Sequence, residues 1–157
     1  MPEENNNLKI LDILDNADGD YTLFDADLET QKKIACDLSK SIEVRLEAFE
    51  DVIDSQIGDS TLTRARNIER NIGFHQLYLK FEGGNPTGTQ KDRISFSQTM
   101  DALRRGFDAV TIATCGNYGV AMALATSMAG LKCHIFIPEN FRTKRKVEME
   151  ELGANII

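Results

Sequence analysis

The sequence has no CxxC pair, only two histidines and no long apolar run, and each shortage removes a class of function. Its three cysteines, Cys36, Cys115 and Cys133, are odd in number and widely spaced, which argues against a disulfide framework and for reduced thiols. His75 and His134 lie far apart, so no zinc or iron spacing can be read and no metal is expected. No stretch approaches the roughly 18 consecutive apolar residues of a membrane span. The opening MPEENNNLKI lacks the basic and then apolar pattern of a secretory signal, so a soluble, cytoplasmic protein without a membrane partner is the expectation. No internal repeat or low-complexity segment occurs.

What is present suits one ordinary globular domain, or part of a larger one: 157 residues, 41% of them apolar. The net charge of −7 disfavours a nucleic-acid partner, but it is unevenly spread. Residues 1–58 carry 15 acids against 5 bases and residues 59–157 carry 10 against 13, placing a boundary near Gly58. The mildly basic second part suits a small anionic ligand, or is simply a solvated basic face.

Apolar residues at 8, 10, 11, 13 and 14 predict a short helix or arm before the turn-prone NADGD. From Leu28 to about Gln56, apolar positions recur at three and four residues (Ile34, Leu38, Ile42, Leu46, Phe49, Ile53), which predicts one long or two consecutive amphipathic helices ending at Gly58. Beyond Asp59 the texture becomes β-loop-α. Strands are expected at 76–81, 109–113, 133–137 and 155–157, and helices at about 91–105, 118–129 and 142–152. The fold class is therefore α/β, a parallel sheet with flanking helices preceded by an acidic helical leader. Residues 155–157 form a strand with no helix to cover it, so the sheet reads as cut short. Ligands of such sheets bind at the carboxyl ends of strands, where loops run into helix amino termini, so the loops at 83–90 and 114–117 are the candidate site.

In KFEGGNPTGTQKDR a lysine, Lys91, falls at the first turn of a helix. There the positive end of the helix dipole disfavours an ammonium and favours the free amine that forms an imine with an aldehyde. An ordinary exposed helix lysine is the plainer reading of any single lysine. Gly83 and Gly88 have the spacing of a phosphate-binding P-loop, but Thr89 stands where that motif needs lysine, so nucleotide hydrolysis is not expected. Cys115 lies at a helix start, where thiols are activated, but no base is near it in sequence, so a small loop side chain is the expected role. His75 and His134 receive none.

GGNPTGTQKDR is similar to the NPTGSFKDR signature of fold-type II pyridoxal-phosphate (PLP) enzymes, the tryptophan synthase β-like family, with Asn85, Pro86, Thr87, Gly88, Lys91, Asp92 and Arg93 matching. Thr89 replaces Ser and Gln90 replaces Phe. ATCGNYG resembles the family's SSGNTG loop through Thr114, Gly116, Asn117 and Gly119, with Cys115 for Ser and Tyr118 for Thr. More diffusely, GDSTLTRARNI resembles the family's opening GNTPL strand and turn, and IPENFRTKRKVEMEELGANII its next β-loop-helix-β unit. The resemblance covers about residues 59–157, a partial PLP-dependent α/β domain, and leaves 1–58 as an acidic helical extension.

The resemblance implies a cofactor, pyridoxal 5'-phosphate, held by Lys91 as a Schiff base, with Lys91 moving protons along an amino-acid substrate. It implies that Asn117 orients the ring and that Thr114, Cys115, Gly116, Asn117 and Tyr118 grip the substrate carboxylate. Unsatisfied amides at a helix amino terminus, with glycines that let backbone come close, agree with an anion site there. Most like threonine synthase, the chain is expected to carry out β,γ-replacement on an activated homoserine; β-replacement or elimination of the cysteine synthase or serine and threonine dehydratase kind comes next. In the family the phosphate cup and the residue facing the pyridine nitrogen come from a segment beyond position 157, so this chain alone is expected to be inactive. A rival of another class is a non-catalytic scaffold or regulatory amino-acid-binding fragment whose acidic helices meet a partner. Oligomeric state, a homo-oligomer included, stays open.

Overall fold

In a computed structural model the described residues are 22–141 and 143–157. The apolar stretch at 8–14 lies outside them. Two consecutive helices form the described part of the leader, α1 (Thr22–Cys36) and α2 (Ile42–Gln56). The break between them follows from DLSKS, where Asp37 accepts from the backbone and hydroxyl of Ser39 and Ser41 then caps α2 by accepting from the Val44 amide. Ala48, Phe49 and Val52 form the buried stripe of α2. Gly58, at φ +92°, lets the chain turn away just after it.

A two-stranded antiparallel ribbon follows, β1 (Leu62–Arg64) with β2 (Tyr78–Lys80), Leu62 opposite Lys80. Helix α3 (Arg66–Ile72) connects its strands. The strand expected at 76–81 is thus present as Tyr78–Lys80, but it belongs to this ribbon and not to the parallel sheet, because its partner is the short strand just before it.

The α/β layer is α4 (Lys91–Arg104), β3 (Ala109–Ala113), α5 (Asn117–Ala129), β4 (Lys132–Phe136), α6 (Arg145–Glu151) and β5 (Asn155–Ile156). The strands pair in parallel in the order β3, β4, β5, with Ala109 opposite Lys132 and His134 opposite Asn155. This is the expected parallel sheet with flanking helices. Along β4, Cys133 and Ile135 face the core while Lys132 and Phe136 are exposed, a two-residue alternation that marks one covered face.

Helix α5 is apolar on every side, and nearly all of it is buried. It packs against α1, α2, α4, α6, β3 and β4 at once, so the leader helices and the α/β layer share one core. Phe49 of α2 stacks on Phe96 of α4, ring centroids 5.8 Å apart and planes within 6°. No helix among the described residues is long and apolar enough to cross a membrane.

Candidate active site

The topology brings the two candidate loops to one end of the sheet. Helix α4 reaches β3 through the short turn 105–108 and so runs antiparallel to it, which puts Lys91 at the carboxyl end of β3. That same strand end runs into loop 114–116 and the start of α5, and α4 packs along α5. Two helix amino termini therefore open on the same side, where their dipoles favour negative charge.

Within the first loop the motif residues divide their work. Lys91 opens α4, is half-buried, and its amine has no hydrogen-bond or ion-pair partner among the described residues. Its backbone amide donates to Thr89 Oγ1 at 3.1 Å. Asp92 is fully buried and accepts from the Thr87 amide at 3.1 Å and from Thr87 Oγ1 at 2.8 and 2.9 Å, folding the loop back on the helix. Burial pushes the Asp92 carboxyl above the ordinary carboxylate range, against the pull of the Thr87 hydrogen bonds.

That shift sets a pH dependence. A carboxyl with a raised pKa in the folded state binds its proton more tightly than in the unfolded chain, so the stability this contributes is complete below the ordinary aspartate range and is lost as pH rises through the higher folded value. Asp92→Asn is expected to flatten that decline in unfolding free energy from about pH 4 upward. Urea titrations across acid pH check it, and identical pH profiles for the two proteins would refute it.

Arg93 turns to the other side. Its Nε donates to Glu82 Oε2 at 2.7 Å, and the guanidinium holds the Glu82 carboxyl below its usual range. Glu82 was not legible as a site residue; it stands before the glycines in a short 3-10 turn, Glu82–Gly84, with nothing in the local pattern to mark it.

In the second loop the amides of Cys115, Gly116, Asn117 and Tyr118 donate to no acceptor among the described residues. Thr114, Cys115 and Gly116 are half-buried, and Asn117 is exposed with no partner for its side chain. Tyr118 is engaged differently, because its hydroxyl pairs with Gln98 Oε1 of α4. Its ring borders an open depression of about 340 Å³ between α4 and Val110–Ile112 of β3. A Cβ added at Gly88 or at Gly116 would meet no atom within 4 Å, so open space lies beside both loops.

A family model described as pyridoxal-phosphate dependent enzyme matches residues 53–157. The chain belongs to that family. Cysteine synthase B of Escherichia coli (strain K12) is 31% identical over 109 residues, covering 67% of this chain and 36% of the relative. The threonine synthase of Methanocaldococcus jannaschii is 37% identical over 82 residues, covering 52% and 20%. Among solved structures, the cysteine synthase of Entamoeba histolytica superposes with a TM-score of 0.59 at 25% identity, over 67% of this chain and 33% of that one. The chain thus spans about a third of the length of these two cysteine synthases.

The cofactor of this family is PLP, and the residues present suit it. Among the described residues, an amine without a partner, four amides without acceptors, an unpaired carboxamide at Asn117 and open space at two glycines are the donors and room that an anionic aldehyde needs.

Proposed function

We propose that this chain is the amino-terminal part of a PLP-dependent enzyme that replaces or eliminates a group at the β-carbon of an amino acid, with Lys91 as the cofactor lysine. The observation that carries the reading is the unpartnered Lys91 amine at the same end of the sheet as the unsatisfied amides of residues 115–118. The longer match to cysteine synthase supports β-replacement on an activated serine. β,γ-Replacement on an activated homoserine, expected from the sequence, ranks second and draws on the shorter threonine synthase match.

When bound, PLP supplies the electron sink that stabilises negative charge on the substrate's α-carbon. Lys91 Nζ would hold the cofactor, and its amine would take and return the proton at the substrate's α-carbon. The amides of residues 115–118 bind the substrate carboxylate at the start of α5, and Thr114 and Cys115 flank it. The Tyr118 hydroxyl is held by Gln98, so its contribution is the backbone amide. Asn117 orients the cofactor ring with its carboxamide. Residues 59–157 form the partial catalytic domain, and residues 1–58 are the acidic extension whose α1 and α2 cover α5.

Reduction with borohydride in the presence of PLP tests the lysine. Peptide mapping is expected to find the pyridoxyl group on Lys91 in preference to Lys132 or Lys144, and Lys91→Ala to remove it. Even labelling of all lysines would sink the assignment. In the complete enzyme, turnover of an activated homoserine but not of an activated serine would reverse the ranking of the two reactions.

A further inference from the structure

Three separated segments meet at one guanidinium beside Lys91. Arg93 Nη2 donates to Gly58 O at 2.8 Å, Ser60 Oγ at 3.0 Å and Glu82 Oε1 at 3.2 Å, in addition to the Nε bond to Glu82. Asn85, 1% exposed, completes the junction. Its Oδ1 accepts from the Gly58 amide at 3.1 Å, and its Nδ2 donates to Glu82 O at 2.8 Å and Glu82 Oε2 at 3.0 Å. The turn after α2, the start of the Lys91 loop and the first turn of α4 are therefore tied together side chain to backbone. A Cβ at Gly58 would lie 2.6 Å from Arg93 Nη1 and would push the guanidinium aside, and the φ of +92° strains any side chain there.

We infer that Arg93, with Glu82 and Asn85, is a positioning residue for Lys91, and that it works by anchoring the Lys91 loop to the turn at Gly58–Ser60. The inference rests on Lys91 being the cofactor lysine. The Arg93 and Glu82 side chains are 37% and 28% exposed, and an ion pair so open to solvent adds little to global stability. Its effect is geometric. Arg93 is two residues from Lys91 and fixes the rotation and height of the first turn of α4, while Asp92 fixes the loop from inside. An error of about 1 Å in a reacting group can cost about a hundredfold, so a clip of small stability can matter greatly to the amine.

The protein contains its own control. Arg64 donates Nε to Glu69 at 2.9 Å, and Glu69 accepts the Leu77 amide at 2.7 Å, a clip of the same construction that ties α3 to the β1–β2 ribbon and not to the Lys91 loop. Arg93→Gln, Glu82→Gln and Arg64→Gln are made in the whole chain and labelled with PLP and borohydride, with Lys132 and Lys144 as references in each molecule. Arg93→Gln and Glu82→Gln are expected to lower Lys91 labelling at least about tenfold, and Arg64→Gln to leave it within about twofold. Labelling of Lys91 unchanged in Arg93→Gln, or lowered as much by Arg64→Gln, would overturn the inference.

The same variants are acylated with acetic anhydride, which needs no cofactor. Loss of the clip is expected to speed acylation of Lys91 severalfold, opposite in sign to the PLP result, without speeding that of the reference lysines. If wild-type Lys91 shows no preference for PLP, the cofactor reading fails, and acylation alone decides the clip: faster at Lys91 only in the Arg93 and Glu82 variants supports it, and no change refutes it.

Discussion

Replacing Phe96 with alanine is expected to lower the free energy of unfolding by about 3–5 kcal/mol. The ring has no exposed surface and stacks in parallel on Phe49, so the change removes both the transfer energy of a large apolar group and an aromatic pair. Phe96 belongs to α4 and Phe49 to α2, two helices joined through the 57–90 segment, and no residue of that segment from 58 to 90 enters the main core. The stack is therefore a principal apolar bridge between the leader and the helix that carries Lys91. Closing the cavity would require α2 and α4 to approach, but both are also held by α5. The site can relax only partly, which puts the cost toward the upper end of the range. Urea denaturation followed by circular dichroism measures it. A loss below about 1 kcal/mol would show that the two helices are held mainly by something other than this contact.

The same two helices show how far sequence reasoning reached. The expected helix at 91–105 is Lys91–Arg104, and the expected strand at 109–113 is Ala109–Ala113, because a strong apolar period is followed by Arg105, Gly106 and a β-branched run. Helix α3 is not legible in the sequence, since RNIERNI is one short, highly charged stretch with only Ile68 and Ile72 to show a period. The strand at 78–80 was legible as a strand but not as part of a ribbon. Pairing depends on the partner, and β1 is only three residues long. For the site, local motifs placed Lys91 in the first turn of its helix and Asn117 in the loop just before another; in the structure each is the first residue of its helix. The junction around Arg93 could not be read, because its partners lie 11 and 35 residues away with no periodic relation.

Arg45→Met is expected to cost about 3 kcal/mol, although no carboxylate pairs with this arginine among the described residues. Arg45 is 7% exposed and donates Nε to Ala35 O at 2.8 Å and Nη2 to Ala129 O at 2.9 Å. Both carbonyls belong to the last turn of a helix, α1 and α5, where backbone acceptors have no intrahelical donor and the dipole is negative. One buried cation thus caps two helices and is balanced by two dipoles. Methionine fills much of the volume but leaves both acceptors buried and unpaired, each worth about 1–3 kcal/mol, offset in part by the relief of a buried charge. The helices cannot shift to find water. At Gly130, just after α5, an added Cβ would stand 2.8 Å from Cys36 Cα at the end of α1, so the two backbones are already in contact. Arg45→Lys should lose about half as much, since one ammonium cannot span both carbonyls. Equal stability of wild type and Arg45→Met in urea would mean that the helix ends find other donors, and that the leader holds α5 by apolar packing alone.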